Sequence, residues 1–77
     1  MQEYKFTVVF EPCKEGGYHV YCPALRGCHT QGETFEEAKA NIAEAIQCFI
    51  EGLKKDNEAI PEDVDEIVSV IKVSVAA

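Results

Sequence analysis

Residues 34–55 read TFEEAKANIAEAIQCFIEGLKK, and this stretch does most to decide the fold. Thr34, followed three residues later by Glu37, has the spacing of a capping box, in which two side chains satisfy free backbone amides at a helix start. At 100° per residue the apolar side chains fall on one stripe, formed by Phe35, Ala38, Ile42, Ala45, Ile46, Phe49, Ile50 and Leu53. The pattern predicts a helix from about Phe35 to Lys55 that covers one face of a sheet, with Cys48 towards its polar side.

Three short strands are predicted before this helix. Tyr4, Phe6, Val8 and Phe10 alternate with other residues at the period of a half-buried strand, which Glu11-Pro12 is expected to end. Two glycines at 16 and 17 suit a hairpin turn into a second strand over 18–22, and a third strand is predicted over 28–31.

A last strand is predicted over residues 67–75, where Ile71, Val73 and Val75 alternate with Lys72 and Ser74. The element order then predicts a single α+β domain over 1–77. Its fold is a three-stranded antiparallel meander, one long helix, and a final strand returning parallel beside the first (β-β-β-α-β). One helix covers only one face of the sheet. The other face carries Thr7, Val9, His19 and Tyr21 or the residues that alternate with them, and it is left to solvent or to another chain.

The acidic charge is concentrated in one segment. The chain carries seven basic and fourteen acidic residues, a net charge of −7. Six of the acids and none of the bases lie in residues 56–66, and they are Asp56, Glu58, Glu62, Asp63, Asp65 and Glu66. We interpret this acidic segment either as a solvated loop or as a surface that steers a basic partner. Direct binding of DNA or RNA is not expected, because an acidic chain repels phosphate backbones.

The residue pattern does not predict an enzyme, a metal site or a cofactor. Cys28 and His29 are adjacent in a strand and point to opposite faces, which makes joint metal ligation awkward. A thiol nucleophile at Cys28 or Cys22, with His19 approaching Cys28 across neighbouring strands, is one catalytic hypothesis, and core packing explains Cys28 better. The paired carboxylates Glu36 and Glu37 are better explained as charges at the helix start than as an acid/base pair. The sequence shows neither the pattern of a signal peptide nor that of a membrane span, so a cytoplasmic protein is expected. Because the cytoplasm is reducing, the four cysteines are expected to be free thiols.

The length of 77 residues favours self-association. Burial of apolar area in so small a core barely exceeds the conformational entropy lost when the chain folds. A partner subunit buries further apolar area and so adds stability. We therefore expect a homo-oligomer, a dimer or a tetramer.

Four motifs in order resemble the HicB antitoxin family over nearly the whole chain. They are Gly16-Gly17-Tyr18, Pro23-x-Leu25-x-Gly27-Cys28, the helix start at residues 32–38, and Asn57-Glu58-x-Ile60-Pro61. The resemblance departs from the family at Arg26, where proline is frequent, and at Asp56-Asn57, where glycine is frequent.

The resemblance implies a partial ribonuclease-H-like fold without nuclease activity. It also implies a partner, a small basic HicA-like toxin that cleaves messenger RNA and whose RNA-binding surface and catalytic histidine the antitoxin covers. Many members carry a further DNA-binding segment, and a chain ending at Ala77 is expected to lack it. The alternative hypothesis is a stand-alone homo-oligomeric binding module without a toxin partner.

Overall fold

The computed structural model describes residues 2–64 and 69–76. Three strands, β1 (Val9–Pro12), β2 (Tyr18–Tyr21) and β3 (His29–Gly32), precede one helix, α1 (Phe35–Lys55). The strands form an antiparallel sheet in the order β1-β2-β3. The α+β class, the meander and both ends of the helix are thereby confirmed.

The first strand lies later in the chain than its hydrophobic alternation predicts. Residues 4–8 are in no strand, whereas Glu11 and Pro12, expected to end the strand, pair with His19 and Tyr18. The hairpin turn sets this register. The Cys13 amide donates to the Gly17 carbonyl at 3.0 Å, and the Gly16 amide donates to the Cys13 carbonyl at 3.1 Å. Gly16, at φ 101°, takes the positive φ of the bulge that follows such a turn.

Pro12 is tolerated in β1 because β1 is an edge strand. Inward and outward amides alternate along an antiparallel strand. Because the Cys13 amide points towards β2, the backbone nitrogen of Pro12 points away from the sheet. An N–H at that position would have no acceptor on a described strand, so the missing N–H of proline costs no hydrogen bond of the sheet.

Helix α1 is capped at both ends. The Thr34 hydroxyl accepts from the Glu37 amide at 3.1 Å, while the Glu37 carboxylate accepts from the Glu33 amide at 3.2 Å, one residue earlier than a standard capping box. At the other end Asn57 has φ 56° and the Glu58 amide donates to the Leu53 carbonyl at 2.8 Å. This is a Schellman ending, which explains why asparagine is suitable where glycine is frequent.

The core lies between α1 and the inner face of the sheet. Its buried residues are Val20, Cys22, Leu25, Cys28, Ala38 and Ile42, and Ile50 is buried further along α1. Ala45, Ile46 and Phe49 of the predicted stripe pack against this core while partly buried. Phe35 is exposed at the start of the stripe, although its ring lies 4.5 Å from that of Phe10.

Gly32 is the point of closest approach between the sheet and the helix. A methyl group added there would lie 2.7 Å from the Ala38 Cα and 2.9 Å from the Glu37 carbonyl carbon, and would also strike the Ala38 nitrogen. The helix backbone can rest on β3 only because this residue has no side chain.

The predicted final strand is not confirmed. Ile67 and Val68 lie outside the described residues, and residues 69–76 belong to no strand. Their apolar side chains are exposed by 95% at Val70, 80% at Ile71, 73% at Val73 and 86% at Val75. An alternating segment becomes a strand only when a neighbouring strand accepts its hydrogen bonds, and no strand among residues 2–64 pairs with this segment.

Candidate functional site

The acidic segment begins where α1 ends, and the structure divides its six predicted carboxylates. Asp56 caps the helix, and its carboxylate is exposed, as are those of Glu58 and Glu62. Asp65 and Glu66 lie outside the described residues. The three exposed groups can contact a partner without first breaking an ion pair, because no salt bridge joins them to another described residue.

Asp63 differs from the other acids because the fold uses its carboxylate. Its two oxygens accept hydrogen bonds from the Thr7 amide and the Thr7 hydroxyl, each at 2.9 Å, across 56 positions of sequence. The Thr7 amide is the largest influence on the pKa of the Asp63 carboxyl and lowers it. The sequence analysis missed this role, since charge counting cannot distinguish a tethering carboxylate from a free one.

The outer face of the sheet is the one turned away from α1, and its coverage by solvent or by another chain stays a prediction. His19 and Tyr21 lie on it, and the β2–β3 and β1–β2 registers add His29 and Glu11. The His19 Nδ1 lies 3.3 Å from a Glu11 carboxylate oxygen, and the His19 ring centroid lies 5.4 Å from that of His29. The outer face of the sheet therefore carries polar and aromatic side chains. Only the strand register could have shown that Glu11 and His29 belong to it.

The cysteines do not form the catalytic pair considered from the sequence. Cys22 and Cys28 are 2% and 5% exposed in the core, while His19 lies on the outer face. Burial raises the pKa of both thiols, so they stay protonated and poorly nucleophilic. The other two, Cys13 and Cys48, are free and exposed.

The loop from 22 to 28 positions a core side chain. The Cys22 amide donates to the Cys28 carbonyl and the Cys28 amide to the Leu25 carbonyl, each at 3.0 Å. These bonds close the loop around Leu25, which is 1% exposed. The Pro-x-Leu-x-Gly-Cys motif is thus explained by packing.

Within residues 2–64 and 69–76, no three or more histidine, cysteine, aspartate or glutamate side chains converge as metal ligands would. Over the same ranges, no helix combines the length and the apolar content needed to cross a bilayer.

The structure defines a small α+β domain with one sheet face turned away from the helix and with exposed carboxylates at Asp56, Glu58 and Glu62. A family model described as the HicB_like antitoxin of bacterial toxin-antitoxin systems matches residues 6–74. The chain belongs to this HicB-like antitoxin family.

Curated relatives agree with this assignment. A UPF0150 protein of Synechocystis is 47% identical over 96% of this chain and 92% of its own length. A UPF0150 protein of Thermoplasma acidophilum is 52% identical over 86% of this chain and 96% of its own. The protein named antitoxin HicB 1 of Photorhabdus laumondii is 40% identical over 74% of this chain, which spans only 37% of that longer protein.

Membership of this family indicates that the chain is the antitoxin of a toxin–antitoxin system. An antitoxin implies a toxin as its partner, and it suggests a role other than catalysis.

Proposed function

We propose that this chain neutralises a small basic HicA-like toxin that cleaves messenger RNA, by binding over the toxin's RNA-binding surface and catalytic histidine. In this proposal the protein acts in the cytoplasm as a homo-oligomer. The observation that carries the proposal is the family match over residues 6–74, combined with exposed carboxylates that suit a basic partner.

The acidic segment supports the proposal through charge. A toxin that binds RNA needs a basic surface, and RNA presents negative charge to that surface. Asp56, Glu58 and Glu62 present carboxylates that can take the place of phosphates and block the same surface. Complementary charge of this kind raises the association rate more than it deepens affinity.

The fold holds these carboxylates in place. The backbone hydrogen bonds of the Schellman ending hold residues 53–58 in place. After Glu62, the two hydrogen bonds from Thr7 to the Asp63 carboxylate hold Asp63 in place. A segment held at both ends loses less conformational entropy on binding than a free loop does.

The test measures binding of a small basic toxin to a chain carrying Asp56→Asn, Glu58→Gln and Glu62→Gln. We expect the association rate to fall about ten-fold at low ionic strength, and the difference from the parent chain to shrink in high salt. A matched control carries Glu3→Gln, Glu15→Gln and Glu44→Gln, which remove the same charge from exposed positions elsewhere.

The association rate of the control variant should fall much less than that of the variant with substitutions at Asp56, Glu58 and Glu62. Equal losses in the two triple variants would contradict the assignment of the acidic segment, because net charge alone would then explain the effect. A chain that self-associates and binds no basic toxin would instead favour the stand-alone binding module.

A further inference from the structure

The last described segment, residues 69–76, projects from the body of the molecule. The radius of gyration is 15.5 Å, whereas a compact chain of this length has about 11 Å. The molecule extends 57 Å along its longest axis but only 28 and 21 Å along the others. We call residues 69–76 the C-terminal arm.

The arm has the pattern of a strand that is buried on one side. Ile71, Val73 and Val75 alternate with Lys72 and Ser74, and the apolar members are 73–86% exposed. An apolar stripe this exposed normally marks a contact surface in an otherwise ordinary globular chain.

The sheet of the same chain offers the complementary edge. Because the Cys13 amide faces β2, alternation along β1 turns the amide of Phe10 outward, where no described strand accepts it. Pro12 limits pairing at the end of β1, so the usable edge runs from Phe10 towards the N-terminus of β1 at Val9 and along residues 4–8.

The side chains of the arm match this edge. Val8 and Phe10 turn towards the core, so the apolar side of an added strand would continue the inner face of the sheet. An open groove of about 450 Å³ lies between the N-terminal segment and α1, and among its lining residues are Tyr4, Ala43, Ile46 and Ile50. The other side of the arm, with Lys72 and Ser74, would join the polar outer face near Glu11.

We infer that the C-terminal arm of one copy adds a strand to the β1 edge of a second copy, and that the second copy returns its own arm to the first. Such an exchange is closed and two-fold symmetric, and it protects both exposed edges at once. The inference rests on the homo-oligomer of the proposed function and is independent of any toxin.

The first test compares Val73→Asp with Ser74→Asp in the full chain, by light scattering at micromolar concentration and by circular dichroism. The two variants add the same charge at adjacent positions on opposite sides of the arm. We expect Val73→Asp to weaken dimerisation by about 100-fold or more, because the charge would be buried without a partner, and Ser74→Asp to remain dimeric. Both variants should keep the helical spectrum, because the core described for residues 6–49 contains no residue of the arm.

The second test distinguishes exchange between copies from an arm folded onto its own chain. Isotope-labelled and unlabelled protein are unfolded together, refolded, and examined by isotope-filtered nuclear Overhauser spectroscopy. Contacts between Val73 or Ile71 methyls of one copy and the Phe10 ring of the other support the inference. A monomeric parent chain, a dimer that survives Val73→Asp, or contacts found only within one chain would each overturn it. Since no toxin is present, such failure would leave the proposed toxin binding standing.

Discussion

Replacing Gly32 by alanine should strongly destabilise the domain. The added methyl carbon would lie 2.7 Å from the Ala38 Cα and 2.9 Å from the Glu37 carbonyl carbon, whereas carbon atoms in contact lie about 3.5–4.0 Å apart. Relieving these contacts requires α1 and β3 to separate by about 1 Å, which loosens the packing of the buried Ala38 and Ile42. Overpacking of this kind costs about 1–3 kcal/mol, and the contacts are with backbone that cannot rotate away.

The natural control for Gly32→Ala is Gly52→Ala in the same chain. Gly52 lies inside α1 and a methyl group there would meet nothing within 4 Å, so helix propensity alone should stabilise the domain by about 0.5–1 kcal/mol. For a domain of this size each kcal/mol shifts Tm by about 4–8 °C.

Thermal unfolding at one fixed protein concentration should therefore show Gly32→Ala melting about 4–24 °C below the parent chain, and Gly52→Ala about 2–8 °C above it. A Gly32→Ala chain with the Tm of the parent, or a Gly52→Ala chain destabilised as much as Gly32→Ala, would refute the close-approach argument.

Three more substitutions test the fold and the tether. Thr34→Ala should lower the free energy of unfolding in urea by about 1 kcal/mol, because the Glu37 amide loses its acceptor. Thr34→Ser keeps a hydroxyl acceptor and should unfold with nearly the free energy of the parent chain. Leu25→Ala should cost about 3 kcal/mol, since the side chain is 1% exposed, while Arg26→Ala beside it should change stability by less than about 0.5 kcal/mol. Asp63→Asn should be less stable than the parent at pH 7. The folded-state pKa of Asp63 is lowered, so its contribution is present above the ordinary value of 3.8 and is lost as the pH falls through the lowered pKa. The urea midpoints of the two chains should therefore begin to converge near pH 3.8 and meet once the pH has fallen through the lowered pKa, and a gap independent of pH would contradict the tether.

The helix was predictable because all its signals are local. The apolar stripe, Thr34 and the terminal lysines act within a few residues of one another, and tertiary contacts only reinforce them. The order of the three strands followed from alternation and from the glycine turn.

The strand bounds were less predictable because pairing decides them. Residues 4–8 alternate as well as any strand, yet β2 is too short to reach them, and the turn at residues 13–16 draws Glu11 and Pro12 into β1. In the same way the last segment carries a strand pattern, but the pattern does not say which chain supplies the neighbouring strand.

The acidic segment was predictable as a charge cluster and not as a set of separate roles. Glu58 and Glu62 are exposed as a steering surface requires, whereas Asp63 is bound to Thr7. A contact across 56 positions leaves no local signal in a single sequence.

The central claim is that this chain acts by covering the active surface of a toxin. The most direct measurement titrates it into a messenger-RNA cleavage reaction driven by a small basic toxin of the HicA type. The account predicts that cleavage stops at a fixed molar ratio, and that the triple variant of Asp56, Glu58 and Glu62 associates more slowly. Undiminished cleavage at a large excess of the well-folded chain would contradict it.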